Sequence, residues 1–236
     1  MNRIIILSPP SQQNLITVND PLIVSHLKNH LNIEIGKKLK VTILNQGLTQ
    51  AEVLEINEQS IILKAGEKLK LGALRYIDLF IGLSRPPSLK KIIEHTVGLP
   101  IKTITFYQAD LSEKSFANSK VLQLESLEKL LITGLSQAGN YHDLPSIQVS
   151  SLSLDRCKFP EKCFFLDHKQ NKTFKDFTLT PDQIALIIGP ERGFSPKEYQ
   201  WLESSRCQGV KISSGIQRVE IATFVASGQI EMLVSS

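Results

Sequence analysis

Two stretches, Tyr76–Leu83 and Gln183–Ile188, are apolar at nearly every position. A strand with one wet face alternates apolar and polar residues. A strand without alternation is buried on both faces, as in a parallel sheet covered by helices. The intervening pattern supplies such helices. Pro86-Pro87-Ser88 opens one that reaches about Val97, and Val121, Leu122, Leu124, Leu127, Leu130, Leu131 and Leu135 mark another over Ser119–Gln137. Lys102–Tyr107 and Lys162–Leu166 read as further strands, and Ser195–Ser205, Val210–Ile212 and Arg218–Leu233 as helix, strand and helix. Alternating strands and helices predict an α/β domain with a largely parallel sheet, whose ligands bind beyond the carboxyl ends of the strands.

Residues 1–72 have a different rhythm. Asn2–Leu7 reads as a strand, and Asp20-Pro21 opens a helix reaching about Leu31. Lys40–Leu44, Ala51–Ile56 and Ser60–Leu63 follow with period-two patterning, separated by the turn residues Asn45-Gln46-Gly47 and Asn57-Glu58. Short strands with one helix suggest a small β-barrel domain, followed by the α/β domain over 73–236. Charge divides in the same way. Met1–Lys91 carries 12 basic and 7 acidic residues, net +5, whereas Ile92–Ser236 carries 15 and 16, net −1. Lys37, Lys38, Lys40 and Arg85 stand out in a wider set that includes Lys64, Lys68, Lys70, Arg75, Lys90 and Lys91. Such a field suits phosphate contacts, and an ordinary solvated lysine-rich surface fits the same residues equally well.

Several classes are excluded. No apolar run approaches the ~20 residues that span a bilayer, and Ser8-Pro9-Pro10 ends the first apolar run too early for a secretory signal. The cysteines are Cys157, Cys163 and Cys207, an odd number without a CxxC pair. That argues against a disulfide framework or zinc knuckle and predicts free thiols in a reducing, cytoplasmic setting. His26 and His30 are four apart on a helix but lack a third ligand, so no metal site is expected. No Walker loop, GxGxxG or nucleophile elbow is present.

The sharpest motif runs from Ile184 to Glu198: a buried strand, the loop Gly189-Pro190-Glu191-Arg192-Gly193-Phe194, and a helix start. Ser195 with Glu198 forms a capping box and Pro196 fits the first helical turn, devices that any helix could use. The loop before the cap asks for more. Gly189 and Gly193 let backbone approach a ligand, Pro190 stiffens the turn, and Glu191 brings a carboxylate to the end of a central strand. Val210–Thr223 repeats the plan with Ile212-Ser213-Ser214-Gly215-Ile216, then Arg218 and Glu220 at a helix start. Alone, this second loop is an ordinary connection.

In this order, the two segments resemble the SPOUT superfamily of methyltransferases, and most closely the bacterial 16S ribosomal RNA uracil-N3 methyltransferases. Ile188–Ser195 matches that family's first loop except at Arg192, where the family has glycine. In the second loop Arg218, Glu220 and Ala222 match. Ser213, Gly215, Gln217 and Ile221 replace the family's Gly, Arg, Leu and Thr.

The resemblance implies a PUA-like barrel followed by a trefoil-knot α/β domain, a homodimer, and S-adenosylmethionine as methyl donor. Leu186, Ile187, Ile188, Gly189, Pro190, Glu191 and Gly193, with Ile212, Ser213, Gly215 and Ile216, would hold the donor. The partner would be ribosomal RNA or the small ribosomal subunit, with Lys37, Lys38, Lys40, Arg85 and Arg192 as RNA contacts. Arg218 would stabilise charge on the uracil oxygens, and Glu220 would orient Arg218 or accept the N3 proton. Two other readings stay open: the same fold acting on a different RNA, and a dimeric RNA-binding protein that no longer turns over.

Overall fold

The computed structural model describes residues 3–11, 13–67 and 69–235. Asn2, the first residue of the expected opening strand, and Lys68 of the basic set lie outside the described residues. The chain forms two compact units, Met1–Ala73 with Leu135–Leu144, and Leu74–Gly134 with Pro145–Ser236.

The first unit contains β1 (Ile4–Ile6), β2 (Leu15–Val18), α1 (Pro21–Asn29), β3 (Lys38–Ile43), β4 (Gly47–Ile56) and β5 (Ile61–Ala65). The strands make one sheet in the order β1-β3-β4-β5-β2, parallel only between β1 and β3. Asp20 starts α1 by accepting hydrogen bonds from the N–H groups of Leu22 and Ile23. The helix buries Val24 and Leu27 among Val41, Val53 and Leu63, the inward residues of the alternating strands. Asn45 adopts a left-handed conformation (φ 61°) in the tight turn between β3 and β4. β2 was not anticipated; it pairs antiparallel with β5, with Ile16 beside Leu63.

The second unit is α/β. Its elements are β6 (Ile77–Gly82), α2 (Pro86–His95), β7 (Ile101–Tyr107), α3 (Leu124–Gln137, whose residues from Leu135 on count with the first unit), β8 (Ser146–Ser150), β9 (Lys162–Leu166), β10 (Ile184–Ile188), α4 (Pro196–Ser204), β11 (Gln208–Val210) and α5 (Val219–Val234). All six strands run parallel in the order β11-β9-β10-β6-β7-β8. Every residue of the central strands β6 and β10 is buried, as the missing alternation required. Phe80, Tyr107, Phe165, Ile187 and Leu202 are part of one core cluster in this unit.

Two expectations are corrected. The long helix begins at Leu124, not Ser119, because Ser119 accepts a hydrogen bond from the Val121 N–H and caps a short 3-10 turn instead. Cys163 and Cys207 are joined in a disulfide, leaving Cys157 as the free cysteine. The parallel pairing of β11 with β9 places Gln208 beside Phe164, and so Cys207 beside Cys163, with Cα atoms 4.6 Å apart. Among the described residues no helix is long and apolar enough to cross a membrane, and no cluster of three metal-ligating side chains occurs.

Candidate active site

Four neighbouring strands release their chains at one edge of the parallel sheet: β11 at Val210, β9 at Leu166, β10 at Ile188 and β6 at Gly82. Register keeps these ends level, with Leu166 beside Val210, Phe165 beside Ile187, and Ile188 beside Ile81. The loops that follow enclose a cleft of about 590 Å³, a size suited to a small-molecule ligand.

The loop after β10 is rigid by construction. Ser195 accepts a hydrogen bond from the Glu198 N–H at 3.1 Å, and the Glu198 carboxylate accepts one from the Ser195 N–H at 2.8 Å. The Gly193 N–H donates to the Pro190 carbonyl at 2.8 Å, and Gly193 sits at φ 75°. Glu191 reaches across to α2. Its carboxylate accepts a hydrogen bond from the Arg85 N–H at 2.8 Å and lies 3.5 Å from the Arg85 guanidinium. Arg85 is the N-cap residue of α2 and provides no side-chain cap itself, so Glu191 supplies the acceptor that this helix start lacks.

The loop after β11 is braced from within. Ser213 Oγ donates to the Gly215 carbonyl at 2.7 Å, and the Gln217 amide donates to Ser213 Oγ at 3.4 Å. Gln229 of α5 donates to the Ile212 carbonyl at 3.1 Å. Two of the positions that depart from the family pattern, Ser213 and Gln217, thus support each other. A Cβ built on Gly215 meets nothing within 4 Å, so the cleft is open at this point.

Arg218 ends this loop as the N-cap residue of α5; its carbonyl accepts from the Ala222 N–H at 2.8 Å, and its side chain is exposed at the cleft without a hydrogen bond or ion pair among the described residues. Glu220, two residues on, is buried. Its carboxylate faces α2, with Oε1 3.4 Å from Lys91 Nζ and a further hydrogen bond from Ser88. Burial alone would push this carboxyl upward, but bonds from its own N–H, Lys91 and Ser88 outweigh that and hold it below the usual carboxylate value. The carboxylate that was expected to orient Arg218 is therefore engaged elsewhere.

A third wall, Leu166–Lys169, was not singled out from the sequence. The Asp167 N–H donates to the Val210 carbonyl at 3.0 Å. Its carboxylate accepts from Tyr199 Oη at 2.6 Å and from the Lys169 N–H at 3.1 Å, with His168 Nδ1 3.5 Å away. Burial works against ionisation here too, yet these bonds bring Asp167 below its ordinary value, and the same bond pushes Tyr199 up to about 12. The available signal was positional: Asp167 directly follows a strand of the parallel sheet.

Of the residues predicted from sequence, Ile188, Gly189, Pro190, Glu191, Gly193, Ile212, Ser213, Gly215, Ile216, Arg218 and Glu220 all line this one cleft, as do Arg85 and Arg192. Leu186 and Ile187 do not. Both are fully buried within β10, their side chains packed into the faces of the sheet. Lys37, Lys38 and Lys40 belong to the first unit, exposed on and just before β3, and Lys37 Nζ donates to the Leu31 carbonyl at 2.8 Å. Phe106 and Tyr107, the aromatic pair that ends β7, are fully buried and offer no face for a base to stack on.

Residues 73–231 match the family model of the RNA methyltransferase domain. The "Ribosomal RNA small subunit methyltransferase E 1" of Borreliella burgdorferi is 30% identical over 220 residues, covering 90% of each chain. The corresponding protein E of Treponema pallidum is 27% identical over 85% of this chain and 79% of its own. Among solved structures, a ribosomal RNA small subunit methyltransferase E from Neisseria gonorrhoeae, bound to S-adenosyl methionine, superposes with a TM-score of 0.76 over 99% of this chain and 98% of its own at 17% identity, a likeness of fold. With most of its length matched by the family model and its sequence shared across nine-tenths of the Borreliella protein, this chain belongs to the RNA methyltransferase family, alongside the small-subunit ribosomal RNA methyltransferases E.

Proposed function

We propose that this chain transfers a methyl group from S-adenosylmethionine to N3 of a uridine in 16S ribosomal RNA, as a cytoplasmic homodimer. On this reading the first unit is a PUA-like RNA-gripping barrel and the second a trefoil-knot domain. The observation that carries it is the convergence of two glycine-containing loops, after β10 and after β11, on one cleft that also holds Arg218 and Glu220.

The residues present fit the donor. Open space at Gly215, together with the stiff turn at Pro190, leaves backbone accessible to a flat adenine. The ionised carboxylates of Asp167 and Glu220 line a cleft that would take a cation. Bound there, S-adenosylmethionine supplies a methyl group on a sulfonium for in-line displacement.

The chain's own residues then have separable tasks. Main-chain groups of Ile188–Pro190 and Ile212–Ile216 bind. Glu191 fixes the first loop against the start of α2. Arg218, whose side chain has no competing partner, stabilises the negative charge that grows on the uracil oxygens as N3 gives up its proton to a solvent water in the open cleft. The Glu220 carboxylate, engaged by Lys91 and Ser88 against α2, acts as a fixed anion. Lys37, Lys38, Lys40, Arg85 and Arg192 contact RNA phosphates.

For the dimer, α5 exposes Ile221 (41%), Val225 (36%) and Met232 (71%), spaced along one side of the helix. They form an apolar stripe suited to a second copy.

Nucleoside mass spectrometry of 16S RNA from a deletion strain tests the reaction. Loss of 3-methyluridine, restored by the wild-type gene, is the expected result. Retention of 3-methyluridine removes the uracil-N3 assignment. Calorimetry with S-adenosylmethionine separates a different RNA target, where the donor still binds, from a protein that no longer turns over and has lost donor binding.

A further inference from the structure

A second cleft of about 330 Å³ opens in the larger unit, lined by none of the residues assigned above to the donor. Gln108, Asp110 and Lys114 line it from the segment after β7, and Ser151, Ser153 and Arg156 from the segment after β8. β7 and β8 run parallel, with Tyr107 beside Ser150, and the Gln108 N–H donates to the Ser150 carbonyl at 3.2 Å. The cleft therefore lies beyond the carboxyl ends of its strands, where open parallel sheets bind ligands.

We propose that this cleft holds a nucleotide of the single-stranded RNA that flanks the target base, with Lys114 and Arg156 on its phosphate. The proposal rests on the RNA-methylation reading above.

Lys114 and Arg156 are exposed and form no ion pair within 4.0 Å among the described residues, so both are available to an anion; Asp155, next to Arg156, offsets part of that charge. The one carboxylate in the cleft wall is turned away from this task. Asp110 accepts a hydrogen bond from Ser195 Oγ at 2.6 Å, and its N–H donates to Glu198 at 3.1 Å. That pair also ties the cleft to the helix cap that closes the donor loop. The other polar groups are neutral. Gln108 makes only long contacts of 3.4 Å to the Ala109 and Ser112 carbonyls, leaving its amide free to exchange them for a sugar or base edge. Of the three serines, Ser112 Oγ donates to the Leu83 carbonyl and Ser153 bonds Asp155, so two cations, the Gln108 amide and the Ser151 hydroxyl match one phosphate and the polar edges beside it. The volume admits a single nucleotide, in keeping with RNA recognition through unpaired segments.

The test is the double variant Lys114→Ala/Arg156→Ala, with binding of a 16S RNA fragment followed by fluorescence anisotropy across salt concentration. Loss of the one single-strand phosphate contact that the two cations share should lower the slope of log K against log[salt] by about 0.7. The RNA KM should rise about tenfold with kcat held, because the contacts position without taking part in the displacement. A control, Lys102→Ala/Lys175→Ala, should leave the slope unchanged. An unchanged slope in the test variant, or an equal fall in the control, overturns the proposal. Thermal melting checks folding, and Lys114→Gln/Arg156→Gln replaces a variant that fails to fold. If uridine monophosphate binds the wild-type chain and not the variant while RNA affinity is equal in both, the cleft belongs to a free nucleotide. If the wild-type chain binds RNA but transfers no methyl group, the functional reading fails while the salt slope still decides the cleft. Absence of RNA binding by the wild-type chain overturns both.

Discussion

Gly82, the last residue of β6, lies so close to Pro190 that an added Cβ would stand 2.5 Å from the proline Cδ and 2.6 Å from its nitrogen. The contact is with backbone and ring, neither of which can swing aside. Gly82→Ala must therefore displace the donor loop or the end of β6. We expect a loss of about 1–3 kcal/mol in stability, as for other overpacked sites, with a weaker donor affinity by calorimetry. Unchanged melting and affinity would mean that the loop yields freely.

Glu191 and Arg85 are joined twice, but the two contacts differ in worth. The Arg85 side chain is 66% exposed, so its ion pair is screened and contributes about 0–1 kcal/mol. The carboxylate bond to the Arg85 N–H closes a helix start and is worth about 0.5–2 kcal/mol. Chemical denaturation should find Glu191→Ala clearly destabilised and Arg85→Ala nearly neutral. Equal losses would assign the effect to the ion pair.

The lowered pKa of Glu220 makes part of the stability depend on pH. Its folded-state value lies below the unfolded one, so on acidification the unfolded chain takes up the proton first. The contribution is complete above the ordinary carboxylate value and fades as pH falls through the lowered one. Melting curves should show the wild type more stable than Glu220→Gln at pH 7, with the gap closing in acid. A gap that widens in acid would reverse the assignment.

Arg218 has no structural partner to lose, so its removal should leave the fold intact. Arg218→Ala is expected to lower kcat by about 10²–10³, the range for deleting one group that stabilises transition-state charge, while melting temperature and donor affinity stay near wild type. Arg218→Lys should recover only part of the rate, since a point charge does not reproduce the planar fork. A fall in donor affinity with kcat unchanged would move Arg218 from catalysis to binding.

Much of the architecture was legible because strong local rules coincided. The runs at Ile77–Ile81, apolar but for Asp78, and at Ile184–Ile188 read as interior strands, and Asp20 and the Ser195–Glu198 pair mark their helix starts directly. The two loops were visible through their glycines, and they share a cleft. What escaped had no local signature. β8 is an edge strand whose residues are exposed or half-buried, so no buried face patterns it. Asp167 follows β9 without a glycine or a capping pair to announce a turn, and its role comes from Tyr199, 32 positions later. The disulfide was missed for the same reason: 44 residues separate Cys163 from Cys207, and only the pairing of β9 with β11 brings them together.

The cleft proposed for the donor takes its walls from Arg85 at one extreme and Ala222 at the other. During synthesis the loop after β10 emerges well before β11 and the start of α5, so the cleft is completed only when those last elements have been made. Contacts this distant along the chain form slowly and late. A nascent chain stalled before residue 208 would carry the proline turn and its glycines but have only half a pocket, and competence to bind the donor would report that translation has passed β11.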